Sequence, residues 1–247
     1  MRLFAGTGWM NARAPLALVL LMGVSLSGCA GLFPGSSAVG MVSPSPGLQG
    51  LRAGGAPKAP AEALAYADSL RRSGQAAQAA AVLENVLTGT RPTTPLLLGY
   101  ARALAADGRT QQALNVIDQA IDPAAPDWQA LMVKGTLLDA SGNPAGARAQ
   151  YQQALKIAPD SPALHANLGL SYLSTGELDN AEAELRRAAA LPGASSAVRQ
   201  NLALVLGLKK QFTESEALLS AELGSDLAAG NLTWIKRLVA SKKGKSR

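Results

Sequence analysis

The chain contains few of the side chains from which catalytic and metal sites are usually built. Its 247 residues include one cysteine, Cys29, and one histidine, His165. A lone cysteine excludes a disulfide within the chain and a zinc site built on several thiolates. We interpret His165 as a packing residue, which leaves no second histidine for a histidine metal site or a Ser-His-Asp triad. The phosphate-binding pattern Gly-x-x-x-x-Gly-Lys-Ser/Thr is also missing, so we expect no enzyme and no cofactor.

Aromatic residues and strong charge are scarce as well. Phe, Trp and Tyr make up 4% of the chain, and this scarcity, together with abundant alanine, favours closely packed helices over a β-sandwich. The formal net charge is +6, but much of the excess lies within residues 242–247. The rest of the chain is close to neutral, so nucleic acid is not a predicted partner. Paired acidic residues are interpreted as solvated helix faces, at Glu182, Glu184, Glu214 and Glu216.

The amino terminus has the layout of a secretory signal peptide. The basic residues Arg2 and Arg13 precede an apolar run, residues 14–26, that is too short to span a bilayer comfortably. The run ends in Leu26-Ser27-Gly28-Cys29, which resembles a bacterial lipobox. The resemblance implies removal of residues 1–28, a diacylglycerol on the Cys29 sulfur and a further acyl chain on its amine. Two or more chains hold a protein stably on a membrane.

The residues around this segment add to the prediction. Met10 is an alternative start, since residues 10–13 still form a sufficient basic region. Ala30, instead of an aspartate after the cysteine, implies transport to the periplasmic face of the outer membrane. Residues 29–59 are rich in glycine, proline and serine and cannot bury enough apolar surface to offset the entropy of ordering. We expect them to form a flexible tether with an end-to-end distance of about 30 Å.

From residue 60 the chain repeats itself without a gap. Repeats that begin at residues 60, 94, 128, 162 and 196 have a 34-residue period. Small residues stand at the eighth position (Ala67, Ala101, Gly135, Gly169, Ala203) and at the twentieth (Ala79, Ala113, Ala147, Ala181, Ser215). The fifteenth position holds Gly74, Gly108, Gly142 and Gly176, and then Lys210. Larger apolar residues stand at the twenty-fourth position, and proline falls near the end of four repeats, at Pro92, Pro126, Pro159 and Pro192.

Each of these residue types has a structural use. Small residues let two helices approach closely, glycine ends the first helix in a left-handed conformation, and proline stops the second. This is the tetratricopeptide pattern. We therefore predict an all-α fold over residues 60–240, a right-handed superhelix of about five helix-turn-helix repeats. A capping helix is predicted around residues 231–239, and residues 241–247 are expected to form a disordered basic tail.

The inner face of such a superhelix is a candidate peptide-binding groove. Asn167 and Asn201 occupy the sixth position of adjacent repeats, where their amides would hold the backbone of an extended peptide. The alternative is that asparagine is simply common at this position. Further groove candidates are Met132, Leu170, Leu173, Gln200 and Leu204, which favour an apolar or amphipathic segment. Charged residues are also expected along this face, at Arg71, Arg72, Arg102 and Asp139.

The fifth repeat narrows the resemblance further. Residues 196–208, Phe212 and Glu214-x-Glu216-Ala217 resemble the Flp pilus (tight adherence) assembly lipoprotein TadD family. Lys210 and Ser215 depart from the repeat pattern, which has glycine and alanine there. The resemblance implies a lipid-anchored scaffold for pilus secretion machinery, pilotin-like for the secretin, with a secretin or another assembly protein as partner. An adaptor that recruits peptidoglycan hydrolases or other envelope proteins is the alternative.

Overall fold

The computed structural model describes residues 59–244, and within them it consists of α-helices without a strand. The predicted signal peptide, Cys29 and the tether lie outside the described residues. The helices are α1 Pro60–Arg72, α2 Ala76–Gly89, α3 Thr94–Ala106, α4 Thr110–Ala120, α5 Trp128–Ala140, α6 Pro144–Ile157, α7 Pro162–Ser174, α8 Leu178–Ala190, α9 Ser196–Leu208, α10 Phe212–Leu223 and α11 Ser225–Gly244.

The helix boundaries follow the predicted register. The first helices of the five repeats, α1, α3, α5, α7 and α9, begin at residues 60, 94, 128, 162 and 196. Each of the four prolines predicted to end a repeat lies in a linker between helices. The all-α superhelix of five helix-turn-helix repeats is therefore confirmed.

A left-handed residue connects the two helices of every repeat. Gly74, Gly108, Gly142 and Gly176 have φ angles between 79° and 81°. Lys210 takes the same place in the fifth repeat with a φ of 67°, although its side chain makes that conformation costly. The turn geometry of the repeat thus prevails over the local preference of a lysine.

Small residues bring the two helices of each repeat into close contact. The alanines at the twentieth position, Ala79, Ala113, Ala147 and Ala181, are fully buried. In the fifth repeat Ser215 replaces alanine, and its hydroxyl donates a 2.7 Å hydrogen bond to the Ala203 carbonyl of the facing helix. At Gly169 a Cβ would lie 2.8 Å from Leu185 Cγ, so the approach of α7 to α8 leaves no room for a side chain.

The repeats stack into a solenoid with an inner and an outer layer. Each first helix contacts the first helix of the next repeat, in the series α1, α3, α5, α7, α9 and then α11. The backbones of the second helices of neighbouring repeats approach one another less closely throughout residues 59–244. The first helices therefore line the narrower, concave side of the superhelix. The core continues along the stack as successive apolar clusters between neighbouring repeats.

The last helix closes the stack but differs from its prediction. Helix α11 starts at Ser225, before the predicted residue 231, and packs Ala228, Leu232 and Ile235 into the core of the fifth repeat. It continues to Gly244, so the first residues of the predicted disordered tail are helical, and residues 245–247 lie outside the described part. No helix among the described residues is both long enough and apolar enough to cross a bilayer.

Candidate peptide-binding groove

The concave side carries a cleft between the first helices of the first three repeats. Its volume is about 380 Å³, which is within the range of ligand pockets. The cleft is lined by residues of α1, α3 and α5, by the segments that lead into α3 and α5, and by Leu83 of α2. Its lining includes Leu64, Ala65, Asp68, Arg71, Leu98, Gly99, Arg102, Asp127 and Gln129.

The lining of the cleft has an apolar part and a charged part. The apolar part of the wall is formed by Leu64, Leu83 and Leu98. A Cβ at Gly99 would lie 2.5 Å from Leu64 Cδ2. Gly99 therefore lets the side chain of Leu64 lie against α3. Leu98 is 5% exposed, so it presents an edge to the cleft rather than a full side chain.

The two carboxylates of the cleft are already engaged. Asp68 lies 2.7 Å from the guanidinium of Arg71 and 3.4 Å from that of Arg72. Asp127 caps the amino terminus of α5 by accepting hydrogen bonds from the backbone amides of Gln129, at 2.6 Å, and Ala130, at 3.3 Å. Because of these contacts, neither carboxylate is fully available to a cationic ligand.

Arg102 is the cationic group of the cleft that lacks an ion pair within residues 59–244. Loss of surrounding water lowers the pKa of its guanidinium most, and the nearby charge of Arg71 lowers it further, against the opposing effects of Asp68 and Asp127. The side chain remains exposed and keeps its charge at any pH that the protein experiences. A carboxylate placed between Arg71 and Arg102 would therefore relieve the repulsion between two like charges.

The two predicted groove asparagines lie farther along the same side. Asn201 of α9 is half-buried, whereas Asn167 of α7 is 4% exposed. Asn167 is therefore also a packing position, because α9 covers the neighbouring surface of α7. The pair stays a predicted peptide contact, with Asn201 as its more accessible member.

The apolar groove candidates are also more enclosed than expected. Leu170 and Leu173 belong to the core between α7 and α9 and are 9% and 8% exposed, so they offer only their edges to a ligand. Leu204 and Met132 are half-buried against adjacent core clusters. The amide of Gln200 donates a hydrogen bond to the Ser196 hydroxyl of its own helix, at 2.9 Å.

Asp139, expected to face the groove, instead ties three helices together. Its carboxylate accepts hydrogen bonds from the Tyr151 hydroxyl of α6, at 3.0 Å, and from the Ser171 hydroxyl of α7, at 2.8 Å. Burial raises the pKa of Asp139, although both hydrogen bonds and the charge of Arg148 oppose that rise. The residue joins the third repeat to the fourth and is a structural element of the solenoid.

The lone histidine has a packing role. His165 is 4% exposed, its Nδ1 lies 2.7 Å from Glu184 Oε2, and its Nε2 lies 2.9 Å from the Pro159 carbonyl. Within residues 59–244, no group of three His, Cys, Asp or Glu side chains is placed to hold a metal ion.

Two of the four acidic residues predicted to be solvated are not. Glu184 is half-buried beside His165, and Glu182 is half-buried between Lys209, at 2.6 Å, and Arg186, at 2.8 Å. Arg186 reaches on to Glu214 at 2.7 Å, so this ion-pair network links the fourth repeat to the fifth. Glu182 meets Lys209 of the next repeat, and Glu184 meets His165 of the preceding helix. Both contacts depend on packing between helices, which the sequence of a single helix does not show.

The sixth position of the repeat carries a sequence signal for the cleft. The sixth position of the repeat holds Ala65, Gly99 and Val133 before the two asparagines. The first two are small, and they line the cleft. The cleft therefore lies where the residues at the sixth position are small.

The fold and the groove define a class of α-solenoid that offers an inner surface to other polypeptides. Sequence models of the tetratricopeptide repeat match residues 70–135 and 132–196, together about half of the chain. The chain therefore belongs to the tetratricopeptide-repeat family and is a protein–protein interaction scaffold. The matches indicate no catalytic family.

Solved structures agree on the fold. A thermophilic tetratricopeptide-repeat protein of Thermus thermophilus is 22% identical, with a TM-score of 0.61, over 72% of this chain and 98% of that one. MamA from Desulfovibrio magneticus RS-1 is 18% identical, with a TM-score of 0.53, over 67% and 94%. A tetratricopeptide-repeat protein from Parabacteroides merdae is 18% identical, with a TM-score of 0.54, over 71% and 72%. A comparison with curated proteins gives no match.

Proposed function

We propose that this chain is a lipid-anchored scaffold that assists assembly of the Flp pilus secretion machinery, with a pilotin-like role toward its secretin. The acylated Cys29 holds it on the periplasmic face of the outer membrane, and residues 29–59 tether the repeats to that anchor. The observation that carries the scaffold role is the continuous inner face of five repeats, with an open cleft at one end. The lipobox and the TadD-like fifth repeat support the assignment to pilus assembly.

The inner face suits an extended segment that carries an acidic residue beside an apolar one. Arg102, helped by Arg71, would hold the carboxylate, while the edges of Leu64 and Leu98 would contact the apolar side chain. Toward the other end of the groove, Asn201 would donate and accept hydrogen bonds with the backbone of the segment. The partner we propose is a segment of the secretin or of another pilus-assembly protein.

Recovery of envelope proteins on the immobilised full chain tests the proposal. We expect the wild type to retain a pilus-assembly protein, and the variants Arg102→Ala and Asn167→Ala/Asn201→Ala to retain less of it. Each lost charged or amide partner should cost about 1–3 kcal/mol, or roughly fivefold to a hundredfold in affinity. Arg91→Ala is the matched control, because Arg91 is exposed and lies in the linker between α2 and α3.

Circular dichroism of each variant would show whether its fold is intact. Equal recovery of the same partner by the wild type and by both groove variants would place the binding site elsewhere on the molecule. Recovery of peptidoglycan hydrolases in place of pilus proteins would instead support the adaptor role.

A further inference from the structure

The outward side of α11 exposes large apolar side chains. Leu227 is 60% exposed and Trp234 is 43% exposed, and the two are seven residues apart, on the same side of the helix. Ala228, Leu232 and Ile235 face the fifth repeat instead and are buried. Leu227 and Trp234 therefore form an apolar stripe that the solenoid itself does not cover.

Positive charge follows this stripe along α11. Arg237 is exposed one turn beyond Trp234, whereas Lys236 lies on the other side of the helix, above the ring of Phe212 and 5.2 Å from its centre. The single acid of the helix is Asp226, in its first turn. From residue 231 to the carboxyl terminus the sequence contains six basic residues and no acidic one, at Lys236, Arg237, Lys242, Lys243, Lys245 and Arg247.

We propose that this side of α11 rests on a bilayer surface that contains anionic phospholipid. Tryptophan favours the boundary between headgroups and acyl chains, and a helix with an apolar stripe and basic flanks lies in that boundary. Each lysine or arginine near an anionic surface adds about 1 kcal/mol of attraction, about fivefold in the ratio of docked to undocked molecules. The inference stands apart from the proposed pilus role, because it rests on the stripe and its charge alone.

Fluorescence of Trp234 in reconstituted full-length protein tests this contact. The chain has three tryptophans, so Trp9→Phe with Trp128→Phe leaves Trp234 as the sole reporter. Vesicles would contain brominated phosphatidylcholine, which quenches a tryptophan at the bilayer surface, with or without phosphatidylglycerol. Only protein that floats with the vesicles is scored, so the signal reports the position of α11 and is independent of how the amino terminus is held.

We expect quenching and a blue shift of Trp234 emission in the vesicles with phosphatidylglycerol, and neither in phosphatidylcholine alone. High salt should reverse the effect by screening the charges. Arg237→Gln removes the charge beside the stripe and should lower the ratio of docked to undocked protein by roughly fivefold. Arg91→Gln removes the same charge from another exposed position and should leave the quenching unchanged.

A second reporter separates α11 from the rest of the solenoid. Ile157 at the end of α6 is also exposed, at 46%, and lies beside Lys156. With Trp234→Phe in place, a tryptophan introduced by Ile157→Trp should remain unquenched. The proposal would be overturned if quenching of Trp234 were the same with and without phosphatidylglycerol. It would also be overturned if the emission shift required added periplasmic protein or peptidoglycan. Absence of quenching with phosphatidylglycerol would overturn it as well.

Discussion

Lys210 adopts the left-handed backbone conformation that glycine adopts at the same position of the other four repeats. A residue with a Cβ pays roughly 1–2 kcal/mol for that conformation, because the Cβ crowds the following carbonyl. The conformation persists because the helices on either side are fixed by burial of Leu206 and Ser215. The strain is therefore stored in one turn of an otherwise regular stack.

Replacing this lysine with glycine is expected to stabilise the protein. Lys210→Gly should relieve the crowding, and part of the gain is lost to the greater freedom of glycine in the unfolded chain. We expect a net increase of about 0.5–1 kcal/mol in the free energy of unfolding, measured by urea denaturation. Lys210→Ala is the control, since it removes the charge and keeps the Cβ. A gain as large in Lys210→Ala would show that charge, and not backbone strain, is responsible.

Asp139 gives the stability of the protein a specific pH dependence. Burial raises the pKa of its carboxyl above the ordinary value of 3.8. A group with a higher pKa in the folded state stabilises most below its unfolded pKa and loses that contribution as the pH rises through its folded pKa. Asp139→Asn cannot ionise, so the unfolding free energy of the wild type minus that of the variant should fall as the pH rises from below 3.8 toward neutrality. Urea denaturation of both proteins at a series of pH values measures this difference, and a constant difference would contradict the prediction.

At the scale of helices, the contact between α7 and α8 tests the repeat register. A Cβ on Gly169 would lie 2.8 Å from Leu185 Cγ and 3.2 Å from the Ala181 carbonyl oxygen. Gly169→Leu should therefore push the two helices apart at a cost of roughly 1–3 kcal/mol or more. Because repeats stabilise one another only through their neighbours, faster amide hydrogen exchange should spread into the third and fifth repeats.

Gly89→Leu provides the matched control for this substitution. Gly89 ends α2, and nothing lies within 4 Å of the position its Cβ would take. We expect a nearly unchanged melting temperature for this variant and a clear decrease for Gly169→Leu. An unchanged melting temperature in both would mean that α7 and α8 do not approach as closely as described.

Helix positions were predictable because glycine, proline and alanine mark them directly. The left-handed turn favours glycine at position 15, and close helix contact favours small residues at positions 8 and 20, so aligned copies of the repeat define the register. Helix α11 carries no such copy, and its start at Ser225 was therefore misplaced. The length of a terminal helix depends on what covers it, which a periodic pattern does not encode.

At the scale of the whole molecule, the groove was harder to predict than the helices. The register placed Asn167 and Asp139 on the correct helices, but exposure depends on how the next repeat packs over them. The shape of the cleft depends on two helices together, because the absence of a side chain at Gly99 of α3 lets the side chain of Leu64 of α1 lie against α3. Such an effect arises from the space between two helices and belongs to neither helix alone.

The location of the whole molecule is predicted to depend on Cys29. Cys29→Ser removes the only thiol that can carry the diacylglycerol, so we expect the variant to be lost from the outer-membrane fraction. Density fractionation with immunodetection measures this, and an outer-membrane protein of known location controls for the separation. Full retention of the variant with outer membranes would contradict lipid anchoring through Cys29.

The contacts between successive first helices determine how the molecule responds to a pull. Force applied between α1 and α11 would load the interfaces between repeats in series. Every interface would then carry the same force, and the weakest would open first while the remaining repeats stayed folded. A scaffold of this design would lengthen in steps under tension, whereas a small globular domain with a single core unfolds in one cooperative step.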